Sequence, residues 1–381
     1  MHENNTLSDD VYMERALELA LLGRFTTAPN PNVGCVIVRE GKIVGEGYHA
    51  RAGEPHAEIN ALNKAKAKDE ARNATVYVTL EPCCHTGRTP PCTDALIAAG
   101  IKRVVVAMPD PNPQVCGRGI YQLQQAGIVV DYIGSTTIKA KVEDINRGFL
   151  KRMRTRFPYL QLKMAASLDG RTAMASGESQ WITSKEARQD VQNFRAQSDA
   201  ILSTSATVLA DDPALTVRHG ALATSVQKIY PKQGLRQPTR IIIDSCNRVM
   251  PCHRVITEPG ACLLARMTAD QQIWPDNIEQ LFLPPSEEEK RIDLRLLMME
   301  LSRRQINSIW VEAGATLAGA LLQIGVVDEL ILYLAPKLLG DNARGLCVLP
   351  GIDKLNQAHN FTLQEVCQIG SDLRLRLTPN P

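Results

Sequence analysis

Two runs of alternating strand-like and helix-like segments, separated by one basic stretch, set the strongest limit on how this chain can fold. The stretch RGFLKRMRTRFP (147–158) is rich in Lys and Arg and ends in proline, as a solvated linker does. A chain of 381 residues also exceeds what one hydrophobic core usually serves. We therefore predict two α/β domains, residues 1–148 and 149–381, each with its own core.

The first run predicts a mixed sheet sandwiched between helices. Apolar segments at 33–38 and 42–48 flank Glu40 and Gly41, which is typical of a hairpin. Three further strands are predicted at 75–80, 102–108 and 128–133. The predicted helices cover about 10–22, 56–68, 92–100, a segment ending at Gly127 and a last segment ending near Arg147. A hairpin followed by repeated helix–strand units predicts an α/β/α sandwich.

The second run predicts another α/β domain. It begins with YLQLKMAASLDGRT (159–172), and strand-like segments recur at AILSTSATV (200–208), RIIIDS (240–245), ACLLAR (261–266), NSIWVEAG (307–314), DELILYLAPKLL (328–339) and RLRLT (374–378). Helices are predicted near 184–196 and 292–304. This half contains no G-x-G-x-x-G, so the sequence does not favour a Rossmann dinucleotide fold.

Composition and charge exclude several classes of protein. The formal net charge of +2 gives no basic surface of the kind that binds nucleic acid or anionic membrane. The first ten residues are polar and acidic rather than signal-like, and no apolar run approaches the length of a membrane span. Ten cysteines are too few for a disulfide scaffold of this length. We therefore expect a cytoplasmic protein whose thiols are free or metal-bound, with no nucleic-acid or membrane partner.

The segments PHAEIN (55–60) and EPCCHTGRTPPC (81–92) carry the residues of a metal site. His56 starts a predicted helix, Cys83 follows a strand, and Cys92 opens the next helix. If neighbouring parallel strands bring these helix starts to one sheet edge, an imidazole and two thiolates converge there. Three protein ligands leave the fourth position of tetrahedral zinc open, as in a catalytic site.

Glu58 is placed to move protons rather than to bind the metal. It lies two residues beyond His56, too close for both to be ligands from one helix start. A carboxylate there can take a proton from a metal-activated water and return it to a leaving amine. The zinc deaminase signature H-x-E…P-C-x-x-C uses its glutamate in this way. HAE and PC match that signature, but eight residues separate Cys83 from Cys92.

The lengthened cysteine loop and its neighbours resemble the bifunctional deaminase–reductase family of riboflavin biosynthesis. The matching motifs of the first domain are NPNVG (30–34), GEGYH (45–49), AGEPHAE (52–58), TLEPC (79–83), TGRTPPC (86–92) and DPNPQVCGRG (110–119). The resemblance implies a cytidine-deaminase-like sandwich in which His56, Cys83 and Cys92 ligate Zn²⁺ and Glu58 shuttles protons. It implies that Cys84 does not bind the metal.

The second half resembles the reductase domain of the same family, which has a dihydrofolate-reductase-like α/β fold and uses NADPH. The matching motifs are LKMAASLDGRTA (162–173), SGESQWIT (176–183), SATVLADDPALTVR (205–218), RIIIDS (240–245), WVEAG (310–314) and APKLLG (335–340). The resemblance implies cofactor contacts from Ala165, Trp181, Thr207, Asp211 and the turn at Gly314. It implies substrate contacts from Ser179, Arg195, Leu215, Arg218 and Glu312.

Several residues of the first domain keep two interpretations. Asn30, His49, His85 and Arg88 are candidates for contact with the pyrimidine or its phosphate. They are equally ordinary surface or hydrogen-bonded residues. Cys84 is alternatively a metal ligand or a site of oxidation.

The charged residues of the second domain are open in the same way. Arg195 and Arg218 suit a ribose 5-phosphate, because a guanidinium fork matches phosphate oxygens. The alternative is two exposed arginines. Lys163 and Glu312 are candidate proton donors or imine stabilisers, or else members of a buried ion pair.

Together the halves predict two consecutive steps on one phosphorylated pyrimidine. The first is hydrolytic deamination of 2,5-diamino-6-ribosylamino-4(3H)-pyrimidinone 5′-phosphate, and the second is NADPH-dependent reduction of the ribosyl group to ribityl. The alternatives are a tRNA deaminase with an accessory nucleotide-binding domain, a structural zinc module closed by Cys84 or His85, and a second half that binds NADPH without turnover. We expect a homo-oligomer.

Overall fold

The computed structural model of the chain describes residues 8–65, 70–86, 90–230, 232–286 and 291–380. The chain forms two compact units, Met1–Arg156 and Phe157–Pro381. The boundary predicted between residues 148 and 149 falls inside a helix of the first unit, ahead of this junction. None of the helices within the described residues combines the length and the apolar character that a membrane crossing requires.

The first unit is a five-stranded mixed sheet with helices on both faces, which confirms the predicted fold class. Its elements are α1 (Asp9–Leu21), β1 (Gly34–Arg39), β2 (Lys42–Tyr48), α2 (Ala57–Lys64), β3 (Thr75–Val78), α3 (Cys92–Ala98), β4 (Arg103–Val106), α4 (Arg118–Gln125), β5 (Val129–Tyr132) and α5 (Thr136–Thr155). The strand order is β2-β1-β3-β4-β5. β1 pairs antiparallel with β2 and β3, whereas β3, β4 and β5 run parallel.

Apolar side chains on both faces of this sheet pack against the helices. Tyr12 and Leu17 of α1 and Phe149 of α5 belong to the core on one face. Ala61 of α2 and Leu96 of α3 belong to the core on the other. Burial on both sides explains why β1 and β4 read as continuous apolar runs instead of alternating ones.

The last helix of the first unit is longer than the sequence predicts. α5 runs to Thr155 rather than ending near Arg147, so most of the basic stretch is helical. Ser135 caps its N-terminus by accepting a hydrogen bond from the Ile138 N–H, and Arg156 ends it in the left-handed region at φ 63°. Basic side chains in the last turn interact favourably with the helix dipole. The basic stretch is therefore mostly helical rather than an extended linker, and the junction between the two units lies near its C-terminal end.

Two glycines let α2 lie directly against β2. A Cβ on Gly45 would meet the Ala61 carbonyl oxygen at 2.3 Å, and a Cβ on Gly47 would meet the Ala57 carbonyl oxygen at 2.3 Å. Both contacts are with backbone, which cannot move aside as a flexible side chain can. This close approach fixes the start of α2, where His56 is the N-cap, relative to the sheet.

The second unit contains a nine-stranded sheet in the order β11-β10-β9-β8-β12-β6-β13-β16-β15. Its elements are β6 (Tyr159–Ser167), β7 (Arg171–Ala173), α6 (Lys185–Gln197), β8 (Ala200–Thr204), α7 (Ser205–Asp211), α8 (Thr224–Ile229), β9 (Thr239–Ile243), α9 (Arg254–Thr257), β10 (Cys262–Arg266), β11 (Ile278–Phe282), α10 (Leu294–Arg303), β12 (Ser308–Glu312), α11 (Ala315–Gln323), β13 (Glu329–Ala335), β14 (Arg344–Gly345), β15 (Phe361–Ile369) and β16 (Asp372–Pro379). In this spatial order, each strand from β11 through to β13 pairs in parallel with its neighbour. The β15–β16 hairpin adds antiparallel strands next to β13.

The predicted strand at 200–208 is wrong in its second half. β8 ends at Thr204, whose side chain accepts a hydrogen bond from the Thr207 N–H and so caps a helix. Threonine competes well for this cap because its hydroxyl satisfies a free helix N–H. The segment SATV therefore starts α7 at the carboxyl end of β8.

We predict that Gly47→Ala destabilises the first unit by about 1–3 kcal/mol, because the added methyl group pushes α2 off the sheet. Scanning calorimetry of the full chain would measure the shift. Gly134→Ala is the matched control, since a Cβ at Gly134 meets no atom within 4 Å. Equal unfolding temperatures for both variants would contradict the packing argument.

Candidate active sites

Three ligand-type side chains converge at one edge of the first sheet. His56 precedes α2, Cys83 lies in the loop after β3, and Cys92 is the first residue of α3. His56 Nδ1 lies 3.5 Å from Cys83 Sγ and 3.3 Å from Cys92 Sγ. All three ligand atoms lie within 4.8 Å of one another. The sequence predicted this convergence, but not the strands that produce it: β2 and β3 are separated by β1 and pair antiparallel with it, rather than being parallel neighbours.

The spacing of this cluster fits a tetrahedral metal ion. A zinc ion with ordinary Zn–S and Zn–N bond lengths places sulfur and nitrogen ligands about 3.6 Å apart. The observed separations between His56 Nδ1 and the two sulfur atoms are close to that value. Two thiolates and one imidazole are also the donor set that zinc prefers.

The environment of Cys83 favours its thiolate. A hydrogen bond from the Cys92 thiol lowers the pKa of Cys83, against the opposing effect of burial. The Cys92 N–H also donates to Cys83 Sγ at 3.4 Å. Ionisation of Cys83 raises the pKa of its partner Cys92, and contact with Cys83 raises the pKa of His56. A cation between these groups would remove the repulsion and keep both sulfur atoms ionised.

Glu58 lies buried beside this cluster. Burial raises the pKa of its carboxyl group to about 7, and the negative charge of Cys83 acts in the same direction. The side chain also contacts Cys92 by a hydrogen bond. A carboxyl group that titrates near neutral pH can both accept and return a proton.

Asn30 and His49 adjoin the cluster. Asn30 Nδ2 lies 3.0 Å from His49 Nε2, and His49 Nδ1 lies 3.2 Å from the Pro55 carbonyl oxygen. Because the amide donates to Nε2, Nδ1 carries the ring proton. Burial lowers the pKa of His49 to about 4, so the ring is neutral at physiological pH. Its ring centroid is 5.1 Å from that of His56.

The loop between the two cysteine ligands is described only in part. Cys84 is half-buried and is not a member of the three-residue cluster, and burial raises the pKa of its thiol. His85 Nδ1 is buried and has no hydrogen-bond partner among the described residues. Arg88 lies outside the described residues.

Glu81 is a structural element of this site that the sequence analysis overlooked. Its buried carboxylate accepts four backbone N–H groups, those of Asp110, Gly117, Gly119 and Ile120. The loop before α4 and the first turn of that helix are therefore anchored to the segment that carries the first cysteine ligand. An acidic residue directly before a Pro–Cys pair is the signal that was available in the sequence.

In the second unit, charged residues meet at the carboxyl end of β12, beside the middle of β6. Arg195 of α6 pairs with both carboxylate oxygens of Glu312, from Nε at 2.6 Å and from Nη2 at 2.8 Å. Arg195 Nη1 donates to the Thr216 carbonyl oxygen at 2.9 Å, and the Trp310 indole also donates to Glu312. The guanidinium fork of Arg195 thus faces a carboxylate rather than a free phosphate-binding surface.

Burial acts on Glu312 and Lys163 in different ways. Burial raises the pKa of Glu312, but the charge of Arg195 more than offsets it and the net pKa falls to about 2. Burial lowers the pKa of Lys163, and the charge of Glu312 opposes the change only partly. Lys163 and Glu312 are register partners on β6 and β12. The interpretation as a buried ion pair therefore holds for Glu312 with Arg195. Beside them, the Lys163 ammonium group is more acidic than that of an ordinary lysine.

The other predicted residues of the second unit lie on nearby segments. Ala165 is on β6, Thr207 and Asp211 are on α7, and Gly314 is the N-cap of α11, where a Cβ would meet no atom within 4 Å. Asp211 accepts a hydrogen bond from Gln180 Nε2, on the segment that also holds Ser179 and Trp181. The open space at Gly314 and the free N–H groups of α11 suit the phosphates of a dinucleotide.

Trp181, Leu215 and Arg218 complete this set. Trp181 is exposed, and the guanidinium of Arg188 lies 4.3 Å from the centre of its ring. Leu215 is buried with φ 48°, an unfavourable backbone conformation for leucine. Arg218 is exposed, and its backbone N–H donates a hydrogen bond to the side-chain oxygen of Gln192 at 2.9 Å.

Two family descriptions match the chain. "Cytidine and deoxycytidylate deaminase zinc-binding region" matches residues 7–108, and "RibD C-terminal domain" matches residues 158–375. A zinc-binding deaminase domain followed by this reductase domain defines a class of bifunctional enzyme that uses Zn²⁺ and NADPH.

Proteins of known identity are similar over almost the entire chain. The riboflavin biosynthesis protein RibD of Escherichia coli (strain K12) is 63% identical over 371 residues, which cover 97% of this chain and 99% of that protein. The structure of Acinetobacter baumannii RibD, form 1, is 43% identical with a TM-score of 0.87, and covers 98% of this chain and 99% of that one. A Thermotoga maritima diaminohydroxyphosphoribosylaminopyrimidine deaminase/5-amino-6-(5-phosphoribosylamino)uracil reductase is 32% identical with a TM-score of 0.82, and covers 98% of this chain and 99% of that one.

The chain belongs to the RibD family of riboflavin biosynthesis proteins. It is a bifunctional deaminase and reductase, as the sequence predicted. A tRNA deaminase is not favoured, because the similarity spans both units.

We predict that Cys83→Ser and Cys92→Ser lose most of their zinc, whereas Cys84→Ser retains one ion per chain as the wild type does. The reason is that only the first two sulfur atoms lie within ligand distance of His56 among the described residues. Elemental analysis of the purified variants measures zinc directly. Loss of zinc from Cys84→Ser would instead indicate a closed site with a fourth protein ligand.

Proposed function

We propose that the first unit removes the 2-amino group of 2,5-diamino-6-ribosylamino-4(3H)-pyrimidinone 5′-phosphate, and that the second unit then reduces the ribosylamino group to ribitylamino. The observation that carries the first step is the buried carboxyl group of Glu58 beside His56, Cys83 and Cys92. The activities named for the Thermotoga maritima relative support the choice of substrates.

In the first step, Glu58 moves the protons. His56, Cys83 and Cys92 hold zinc, which when bound supplies the Lewis acidity that makes a water molecule nucleophilic at neutral pH. Glu58 accepts a proton as the water oxygen bonds to C2 of the pyrimidine. It then donates a proton to the amino nitrogen as the C2–N bond breaks and ammonia leaves.

Asn30 and His49 orient the pyrimidine. The neutral His49 ring accepts from the Asn30 amide, so the amide oxygen is free to accept a hydrogen bond from the substrate. A charged imidazolium at this position would repel the metal ion. His85, whose buried Nδ1 has no hydrogen-bond partner in the described part of the chain, is a further candidate contact, and Arg88 is a candidate for the substrate phosphate.

In the second step, Lys163 supplies the proton. NADPH, when bound, supplies the hydride that adds to C1 of the opened ribosylamino group, and Lys163 protonates the nitrogen of the same C=N bond. Burial makes the Lys163 ammonium more acidic than usual and so a better proton donor. Arg195 keeps Glu312 ionised, so that Glu312 places a negative charge beside Lys163. Glu312 also accepts hydrogen bonds from the ribose hydroxyl groups.

The cofactor and substrate segments follow from this arrangement. Ala165, Trp181, Thr207, Asp211 and Gly314 line the cofactor, while Ser179 and Leu215 adjoin the substrate. Arg218 binds the ribose 5-phosphate, because its guanidinium is exposed whereas that of Arg195 is engaged with Glu312. We further propose that the protein acts in the cytoplasm as a homo-oligomer.

We predict that Glu58→Gln lowers ammonia release by about 10²- to 10⁴-fold while zinc content stays at the wild-type level. The amide cannot accept the proton of the attacking water. Ammonia release and zinc would be measured on the same preparation. Glu54→Gln is the matched control, since Glu54 is an exposed acid in the segment before α2. Equal ammonia release by Glu58→Gln and wild type would eliminate Glu58 as the proton carrier.

We predict that Arg218→Gln raises KM of the reductase for the phosphorylated substrate about tenfold or more, with little change in kcat. The change should be much smaller with the dephosphorylated substrate, because the lost interaction is with the phosphate. Steady-state NADPH oxidation with both substrates tests this. An identical effect on both would place Arg218 against another part of the substrate.

A further inference from the structure

Asn146 of α5 is a buried amide that binds a distant segment of the first unit. The residue is 2% exposed, and its side chain pairs with the backbone of Asn32, 114 residues earlier in the chain. Asn146 Oδ1 accepts the Asn32 N–H at 2.7 Å, and Asn146 Nδ2 donates to the Asn32 carbonyl oxygen at 3.0 Å. Because a backbone N–H can only donate and a carbonyl can only accept, these two bonds fix the orientation of the Asn146 amide.

The side chain of Asn32 strengthens the same junction. Its Nδ2 donates to the Ile145 carbonyl oxygen of α5 at 2.9 Å, and its Oδ1 accepts the Thr27 hydroxyl at 3.0 Å. Three of these four hydrogen bonds join Asn32 to α5. Directional bonds to both its backbone and its side chain therefore hold the loop around Asn32 in one position against the helix.

The loop that is fixed in this way carries Asn30. Asn30 is two residues before Asn32, and the ring of Pro31 between them restricts the backbone. The Asn30 N–H also donates to the Thr27 carbonyl oxygen at 2.9 Å, so Thr27 contacts both asparagines. A shift of the loop at Asn32 would therefore move Asn30 with it.

The same loop also meets His49. The Val33 carbonyl oxygen accepts the His49 N–H at 2.9 Å, and Asn30 Nδ2 lies 3.0 Å from His49 Nε2. His49 is 2% exposed, so its ring cannot follow a displaced loop without repacking of its surroundings. The contact between Asn30 and His49 thus depends on where α5 holds the loop.

We propose that Asn146 is a positioning residue for the deamination, which holds this loop against α5 and thereby places the Asn30 amide for its contact with the pyrimidine. The proposal rests on the substrate contact proposed above for Asn30. Asn146 acts through the loop and not on the reacting atoms. Its effect on the rate can still be large, because a displacement of about 1 Å far from the chemistry can lower a rate about a hundredfold.

The test is Asn146→Leu in the full-length protein, since leucine has a similar volume and suits a helix but makes neither bond to Asn32. We expect kcat/KM for ammonia release from the diaminopyrimidine substrate to fall by about ten- to a hundredfold, with the zinc content of the wild type. NADPH oxidation with the deaminated substrate should be unchanged in the same preparation, because that activity belongs to the second unit. An unchanged kcat/KM for ammonia release would overturn the proposal.

Ser135→Ala is the matched control, because it removes the N-cap of α5 and so weakens the same helix at a distance from Asn32. It should leave kcat/KM for ammonia release at the wild-type value. Asn32→Asp tests the junction from its other side and does not require Asn146→Leu to fold. Its carboxylate cannot donate to the Ile145 carbonyl oxygen, so kcat/KM should again fall. An equal fall in Ser135→Ala, or no fall in Asn32→Asp, would contradict the role of Asn146.

A double-mutant cycle with Asn30→Ala separates the role of Asn146 from that of Asn30. Once Asn30→Ala has removed the contact with the substrate, Asn146→Leu should lower kcat/KM by no more than about threefold further. If the two effects multiply instead, Asn146 acts by another route and the proposal is overturned, while the contact of Asn30 stands. If Asn30→Ala alone leaves kcat/KM unchanged, the proposed substrate contact of Asn30 is wrong and this proposal fails with it.

Discussion

The direction of the strands in each sheet is the constraint on which both candidate sites depend. Strands that run in the same direction end at the same edge of a sheet, so side chains distant in sequence meet there. In the first unit β2 and β3 flank β1 and are both antiparallel to it, which brings His56, after β2, to Cys83 and Cys92, after β3. In the second unit, parallel pairing of β6 with β12 sets Lys163 beside Glu312, although 148 residues separate them in sequence.

Burial then gives two carboxyl groups opposite properties. Glu58 and Glu312 are both removed from water, which by itself raises the pKa of each. Glu58 has the negative charge of Cys83 nearby and titrates near neutral pH. Glu312 has the charge of Arg195 on both of its oxygens and stays ionised. The charges next to each carboxyl group, rather than the residue type, therefore decide that Glu58 can carry protons and that Glu312 stays ionised.

Most of the first unit could be predicted from sequence, because its hairpin and caps are local signals. Glu40 and Gly41 both have positive φ in the turn, as the pattern required. The C-terminal extent of α5 could not be predicted, because its last turns depend on packing against the rest of the unit. The Lys and Arg residues of those turns are equally common in a helix end and in a solvated linker. The same limit applies to the pair of Arg195 with Glu312 and to the four N–H groups on Glu81. These contacts join segments whose closeness only the fold creates.

The tandem cysteines show how the fold selects a ligand where spacing does not. In a C-x-x-C pair, one helical turn brings both sulfur atoms together. Here eight residues intervene, and the loop is closed by backbone bonds instead. The Cys92 N–H donates to Cys83 Sγ, and the Cys83 carbonyl accepts both the N–H and the hydroxyl of Thr93. These bonds fix Cys83 against the start of α3. Its neighbour Cys84, one residue along, stays outside the cluster.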